Sequence, residues 1–162
     1  MIRKSTLEDI PKLIEIFQCA RRFMAEQGNP SQWNGNYPNE KDARMDIKQG
    51  IAYTIAREGQ IIGTFALASG AEPTYQHIQG AWPNEEPYLT IHRLASDGSC
   101  HGIFAEMLAF CAEQKEEWLR IDTHENNHHM LRLMEKYGFT PCGVITVQDG
   151  TPRLAFMRKN RM

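Results

Sequence analysis

Residues 96–102, Ser-Asp-Gly-Ser-Cys-His-Gly, are the stretch of this chain whose residue types and setting could do chemistry. They join an expected strand, with Leu89, Ile91 and Leu94 apolar and Tyr88 and Thr90 good β-formers, to an expected helix carrying Ile103, Met107, Leu108 and Cys111 on one face. A glycine-bearing loop of this kind leaves several backbone N–H groups unpaired at the positive end of a helix dipole. A phosphate or pyrophosphate suits such a cradle. A second pattern points elsewhere. His124-Glu125-Asn126-Asn127-His128 spells H-E-x-x-H, in which two histidines one helical turn apart hold zinc and the glutamate serves as base. Asn126 and Asn127 are poor helix formers and good caps, so the helix should open at Asn127 and leave His124 outside it. No metal is expected.

The elements that must position this loop follow from periodicity. Residues 2–4 form a short strand, and Thr6 with Asp9 opens a helix along Ile10, Leu13, Ile14, Phe17, Ala20 and Met24, ending before Gly28. Pro11 is tolerable so near a helix start. Residues 28–40 are rich in Asn, Gly and Pro and read as a loop, yet they carry Trp33 and Tyr37, which either cap the core or line a substrate pocket. Residues 42–49 make a short second helix. Residues 51–57 and 60–69 pair as a hairpin through Glu58-Gly59. Residues 70–87 form an acidic, aromatic loop with Trp82, Glu85 and Glu86. After the central unit come a strand over 119–123, a helix over 128–137 closed by Gly138, and strands over 140–148 and 153–158. The order β-α-α-β-β-β-α-β-α-β-β is a mixed α/β domain around one sheet.

At 162 residues the chain reads as a single domain over 1–162. A formal charge of −2 gives no reason to expect nucleic acid or an anionic membrane, and no run of apolar residues reaches the length of a membrane span. The N-terminal residues lack the apolar stretch of a signal peptide. Four scattered cysteines, Cys19, Cys100, Cys111 and Cys142, form no CxxC pair and read as reduced thiols of a cytoplasmic protein.

The segment 127–139 carries a resemblance. Asn127, Leu133, Glu135, Lys136, Gly138 and Phe139 fall where the GNAT N-acetyltransferase superfamily has an Asn opening a helix, a leucine, Glu-Lys and Gly-Phe. The strand, Gly102 loop and helix resemble the acetyl-CoA motif of that family, and the element order fits along nearly the whole chain. The closing residues 149–156 and the stretch 120–130 look like a branch of uncharacterised bacterial members. Three positions depart from the family. Ser99 replaces its leading Gln or Arg and Phe104 its second Gly or Ala, while Met134 stands where a tyrosine often serves as general acid.

The resemblance implies a mostly antiparallel central sheet flanked by helices, and acetyl-CoA as co-substrate. It implies that the pantetheine arm pairs with the backbone around Leu94, Ala95 and Ser96. The pyrophosphate then sits on the N–H groups of Cys100, His101, Gly102, Ile103 and Phe104, with Asn127 near the thioester. Amine attack needs a proton acceptor, for which His92 leads, followed by His124 and Glu86. Trp33 and Tyr37, then Trp82 and Glu85, are the expected substrate contacts for a small-molecule or peptide amine. A homodimer is plausible from family habit. The alternative is an acetyl-CoA-binding regulatory module without turnover.

Overall fold

The computed structural model describes all 162 residues. Eight strands form one sheet in the order β1-β2-β3-β5-β6-β8-β7-β4. The strands are β1 Ile2–Lys4, β2 Ala52–Arg57, β3 Gln60–Ser69, β4 Gln79–Gly80, β5 Tyr88–Ser96, β6 Trp118–Thr123, β7 Thr140–Thr146 and β8 Pro152–Lys159. Every pairing is antiparallel except β5 with β6. The helices are α1 Ile10–Glu26, α2 Glu40–Lys48, α3 Ile103–Ala112 and α4 His128–Lys136.

Local chemistry explains most boundaries. The Thr6 N–H donates to Asp9 (2.7 Å), whose carboxylate also takes both guanidinium nitrogens of Arg3, so the chain turns from β1 into α1 over a fixed acid. Pro11 lies in the first turn of α1, where no intrahelical donor is lost. The α2 helix starts two residues earlier than its apolar pattern suggests, because Asn39 accepts from the N–H groups of Lys41 and Asp42. Glu58 and Gly59 both have positive φ (51° and 78°), as the tight hairpin between β2 and β3 requires. The strand β4, inside the expected 70–87 loop, pairs with β7 where Gly80 meets Gly143.

The sheet separates two cores. On one face Phe65, Leu67, Leu89, Ile91, Leu119, Ile121 and Phe156 pack against Phe104, Met107, Leu108 and Cys111 of α3 and Met134 of α4. On the other, Ile10, Leu13, Ile16, Phe17, Ala20 and Met24 of α1 gather Trp33, Ala43 and Ala95. Tyr75, Tyr88, Ile145 and Ala155 form a smaller cluster toward β7. Met107 is fully buried at the centre of the first core. Met107→Ala is expected to lower stability by about 3 kcal/mol, read as a fall in Tm of roughly 6–12 °C. The exposed Met45→Ala should stay within about 0.5 kcal/mol.

Candidate functional site

The parallel pair is short. Tyr88, Leu89 and Thr90 face Trp118, Leu119 and Arg120, and there the pairing stops. Beyond that point residues 91–96 pair only with β3 and residues 121–123 only with β8, so two strand edges face each other across a widening gap. A bulge lies at the divergence. Thr64 pairs with Ala95 and Ala66 with His92, which sets the two residues Arg93 and Leu94 opposite Phe65 alone. The slip reverses the pleat: Leu89 and Ile91 join the α3–α4 core, whereas Ala95 joins the α1 core.

Arg93 occupies the bulge with φ 51°, an unfavourable conformation for a side chain of this size. Asp46 of α2 holds it through two hydrogen bonds of 2.7 Å, and the Tyr37 hydroxyl accepts a third at 3.3 Å. Burial works against the Arg93 charge, but Asp46 more than offsets it and raises the pKa further. Burial likewise raises the Asp46 carboxyl, and Arg93 pulls it back in part.

At the open end of the gap, residues 97–102 lead into α3. The Asp97 carboxylate accepts from the Ser99 N–H (2.9 Å) and hydroxyl (2.6 Å), which folds the loop back on itself. Gly102 caps α3 with φ 80°, a conformation that brings the chain in without a side chain over the helix end. The N–H groups of residues 100–105 have no acceptor within the protein. A cation missed by the sequence reading stands beside them. Arg57 of β2 donates to the His101 carbonyl (2.9 Å) and to Glu106 (3.0 Å), and its Nη2 lies 3.9 Å from where a Cβ on Gly102 would be. Nothing local in the sequence ties residue 57 to residue 101.

On the α1–α2 side of the gap stand His92, Glu72, Tyr75 and Asp122. His92 Nε2 lies 3.9 Å from Glu72 Oε2. Burial, aided by the Arg93 charge, lowers the His92 pKa from 6.5 to about 4, so its ring is neutral at pH 7. The Tyr75 hydroxyl donates to Asp122 Oδ2 at 2.7 Å, and burial raises both groups. Glu72, Tyr75 and Asp122 were not singled out from the sequence, because no local pattern links the 70–87 loop to β6.

The other expected site residues divide sharply. Asn127 is 3 % exposed and its amide is hydrogen-bonded at both its oxygen and its nitrogen. Its Oδ1 accepts from Met130 N–H and from Gln27, and its Nδ2 donates to Gln32 Oε1, so the side chain caps α4 and pins α1 and the loop after it. His124 lies ahead of α4, accepting the Asn126 N–H at Nδ1 while Nε2 meets the Ser31 hydroxyl at 3.3 Å. The two histidines of H-E-x-x-H therefore do not share a helix, and no group of three His, Cys, Asp or Glu side chains is placed to hold a metal ion. Trp33 is core, edge-on to Phe17, whereas Tyr37 is exposed beside Arg93. Trp82 and Tyr88 sandwich the buried Arg120 guanidinium at 3.9 Å each, so Arg120 takes one face of the Trp82 ring. Glu85 is 85 % exposed and 4.0 Å from Arg120. Glu86 accepts from Trp118 Nε1 (3.1 Å) at the paired end of β5 and β6, far along the strands from the gap.

An anion cradle, two free strand edges and a neutral imidazole beside carboxylates thus meet at the carboxyl ends of a splayed parallel pair. That combination defines a protein class built to hold an extended anionic ligand between strands. The family model described as Acetyltransferase (GNAT) domain matches residues 1–140, and the chain belongs to the GNAT acetyltransferase family, with acetyl-CoA implied as co-substrate. A GNAT-family acetyltransferase from Streptococcus agalactiae is similar at 28% identity and a TM-score of 0.89, over 98% of this chain and 94% of its own. A GNAT-family acetyltransferase from Listeria monocytogenes shares the fold at 17% identity and a TM-score of 0.72, over 98% of this chain and 94% of its own. The ribosomal-protein-S18-alanine N-acetyltransferase from Escherichia coli shares it at 14% identity and 0.64, over 100% and 94%. No curated protein matches the chain by sequence.

Two predictions follow from the groups around the gap. Asp46→Ala leaves the Arg93 charge buried without its partner, so stability should fall by about 3 kcal/mol; denaturant melts measure it, and a loss below about 1 kcal/mol would show that the pair does not hold the bulge. For His92, the unfolded chain takes up a proton between pH 6.5 and about 4 that the folded protein refuses. Stability is therefore complete above pH 6.5 and declines as pH falls toward 4, by up to about 3 kcal/mol from this group. His92→Gln should flatten that part of the stability–pH curve.

Proposed function

We propose that the protein is an acetyl-CoA-dependent N-acetyltransferase that moves an acetyl group to the primary amine of a small molecule or peptide by direct attack. The observation that carries this reading is the run of unpaired N–H groups over residues 100–105, lying beside the free inner edge of β5. The residues fit the ligand. The cradle suits a pyrophosphate, Arg57 adds a cation where the family's loop Arg is missing, and the Leu94 backbone at the bulge suits pairing with an extended amide chain. When bound, acetyl-CoA supplies an activated acyl group on a thiol whose pKa of about 8.5 makes it a fair leaving group.

The chain's own residues then have three tasks. The β5 edge and the α3 cradle fix the acyl donor, which removes orientational freedom from the reaction. His92, neutral at pH 7, accepts a proton from the attacking nitrogen. That nitrogen becomes strongly acidic as it bonds to the carbonyl carbon, so a weak base suffices. The neutral amine would lose one proton in all, passing it to His92 and then by way of water to the sulfur freed as the C–N bond replaces the C–S bond. Met134 is fully buried in the helix–sheet core, where it packs and donates nothing. Four free cysteines support a cytoplasmic setting.

The test is calorimetric titration with acetyl-CoA and desulfo-CoA. Micromolar binding is expected, and Gly102→Asp should weaken it by at least about a hundredfold, because a carboxylate then occupies the cradle. No binding of either ligand would overturn the reading, and binding with no acetyl transfer to any amine would favour the regulatory alternative. In active protein, kcat/KM should rise with the ionisation of the amine and show no inflection near pH 6.5, since His92 is already neutral there. An inflection at that pH that His92→Gln removes would contradict the assignment.

A further inference from the structure

The acceptor side of the gap carries two carboxylates, each with an oxygen that no protein group donates to. Glu72 Oε1 accepts the Thr74 hydroxyl (3.1 Å), but Oε2 has no hydrogen-bond donor and faces a His92 ring that is neutral at pH 7. Asp122 Oδ2 takes the Tyr75 hydroxyl, and Oδ1 takes none. Arg153, whose charge favours the Asp122 carboxylate, donates to Thr151, Pro152 and the Gln32 carbonyl and makes no hydrogen bond to Asp122.

A separate observation points to the same place. Thr90 is 1 % exposed and its hydroxyl has no hydrogen-bond partner. Strand alternation sets Thr90 on the face of β5 shared by Tyr88 and His92. Tyr88 binds the Glu72 N–H through its hydroxyl (2.8 Å), and His92 approaches the Glu72 carboxylate, so the 72 segment lies over Thr90. The partnerless Thr90 hydroxyl and the donor-free Glu72 Oε2 leave this face of β5 short of hydrogen-bond partners.

A carboxylate beside the reacting nitrogen would hold it as ammonium and slow attack. Glu72 is better matched to a different positive charge on the same molecule. Resting on the acetyltransferase reading above, we propose that the acceptor is a small primary amine bearing a second cationic group, which Glu72 binds while His92 serves the reacting nitrogen. Asp122 adds to the negative potential without contacting that cation. Amines that carry a carboxylate are repelled by the same two carboxylates.

The experiment measures acetylation of n-butylamine, butane-diamine and aminobutanoate at saturating acetyl-CoA, extended to the longer and shorter members of each series. In the wild type, kcat/KM should fall in the order diamine, monoamine, amino acid, with the diamine favoured over the monoamine by at least about tenfold at its best length. Glu72→Gln should cut that preference to about threefold or less, with the larger part of the loss in the KM for the diamine, as expected of a lost ion pair. Asp122→Asn should lower the diamine rate less than Glu72→Gln does. Equal kcat/KM for diamine and monoamine in the wild type, or a preference that survives Glu72→Gln in a variant of unchanged Tm, would overturn the proposal. Failure of every amine in protein that binds acetyl-CoA would instead overturn the acetyltransferase reading, and the proposal with it.

Discussion

Two hydrogen bonds of 2.7 Å between Arg93 and Asp46 secure the kink on which the rest of the site depends. Strands β5 and β6 run parallel and would pair along their whole length if both stayed regular. They do so for three residues each and then part, because β5 takes an extra residue at Arg93 and changes its pleat. A residue in that backbone conformation persists only where its surroundings over-determine it. Here a buried carboxylate on α2 does so. One ion pair therefore fixes the bulge, opens the gap and leaves two strand edges free to be used.

The covering layers have different duties. Helices α3 and α4 close one face with a dense apolar core, and the entrance of α3 presents its unpaired amides at the mouth of the gap. The opposite face is held by polar chemistry. Gln32 Oε1 accepts from the Thr123 hydroxyl, the His124 N–H and Asn127 Nδ2, which ties the loop after α1 to the end of β6 and the start of α4. A rigid cradle on one side and a wall of carboxylates and imidazole on the other suit one anionic and one cationic reactant.

Much of this was legible in the sequence. Periodicity and caps located the helices and all the longer strands, because those signals are local. The glycine-bearing run before Ile103 announced the cradle for the same reason, and the two asparagines after Glu125 showed that His124 lies outside α4. The two-residue β4 escaped because it exists through the close approach of Gly80 and Gly143, far apart in sequence. Side-chain roles were harder. Glu86 sits next to the central strand in sequence but at its paired end, whereas Glu72 reaches His92 from the preceding loop. The stacking of Arg120 on the Trp82 ring has no local signal in the sequence. Asn127, expected at the ligand, also caps α4 and pins the loop after α1, which no local pattern shows. In each case the missing information was a contact between distant segments.

The most direct test of the central claim is a crystal structure of the protein with acetyl-CoA. The account predicts phosphate oxygens within hydrogen-bond distance of the N–H groups of residues 100–105, and an extended arm lying between β5 and β6 against the Leu94 backbone. A ligand bound elsewhere, or strands that zip together along residues 91–96 and 121–123 with the ligand outside, would contradict it.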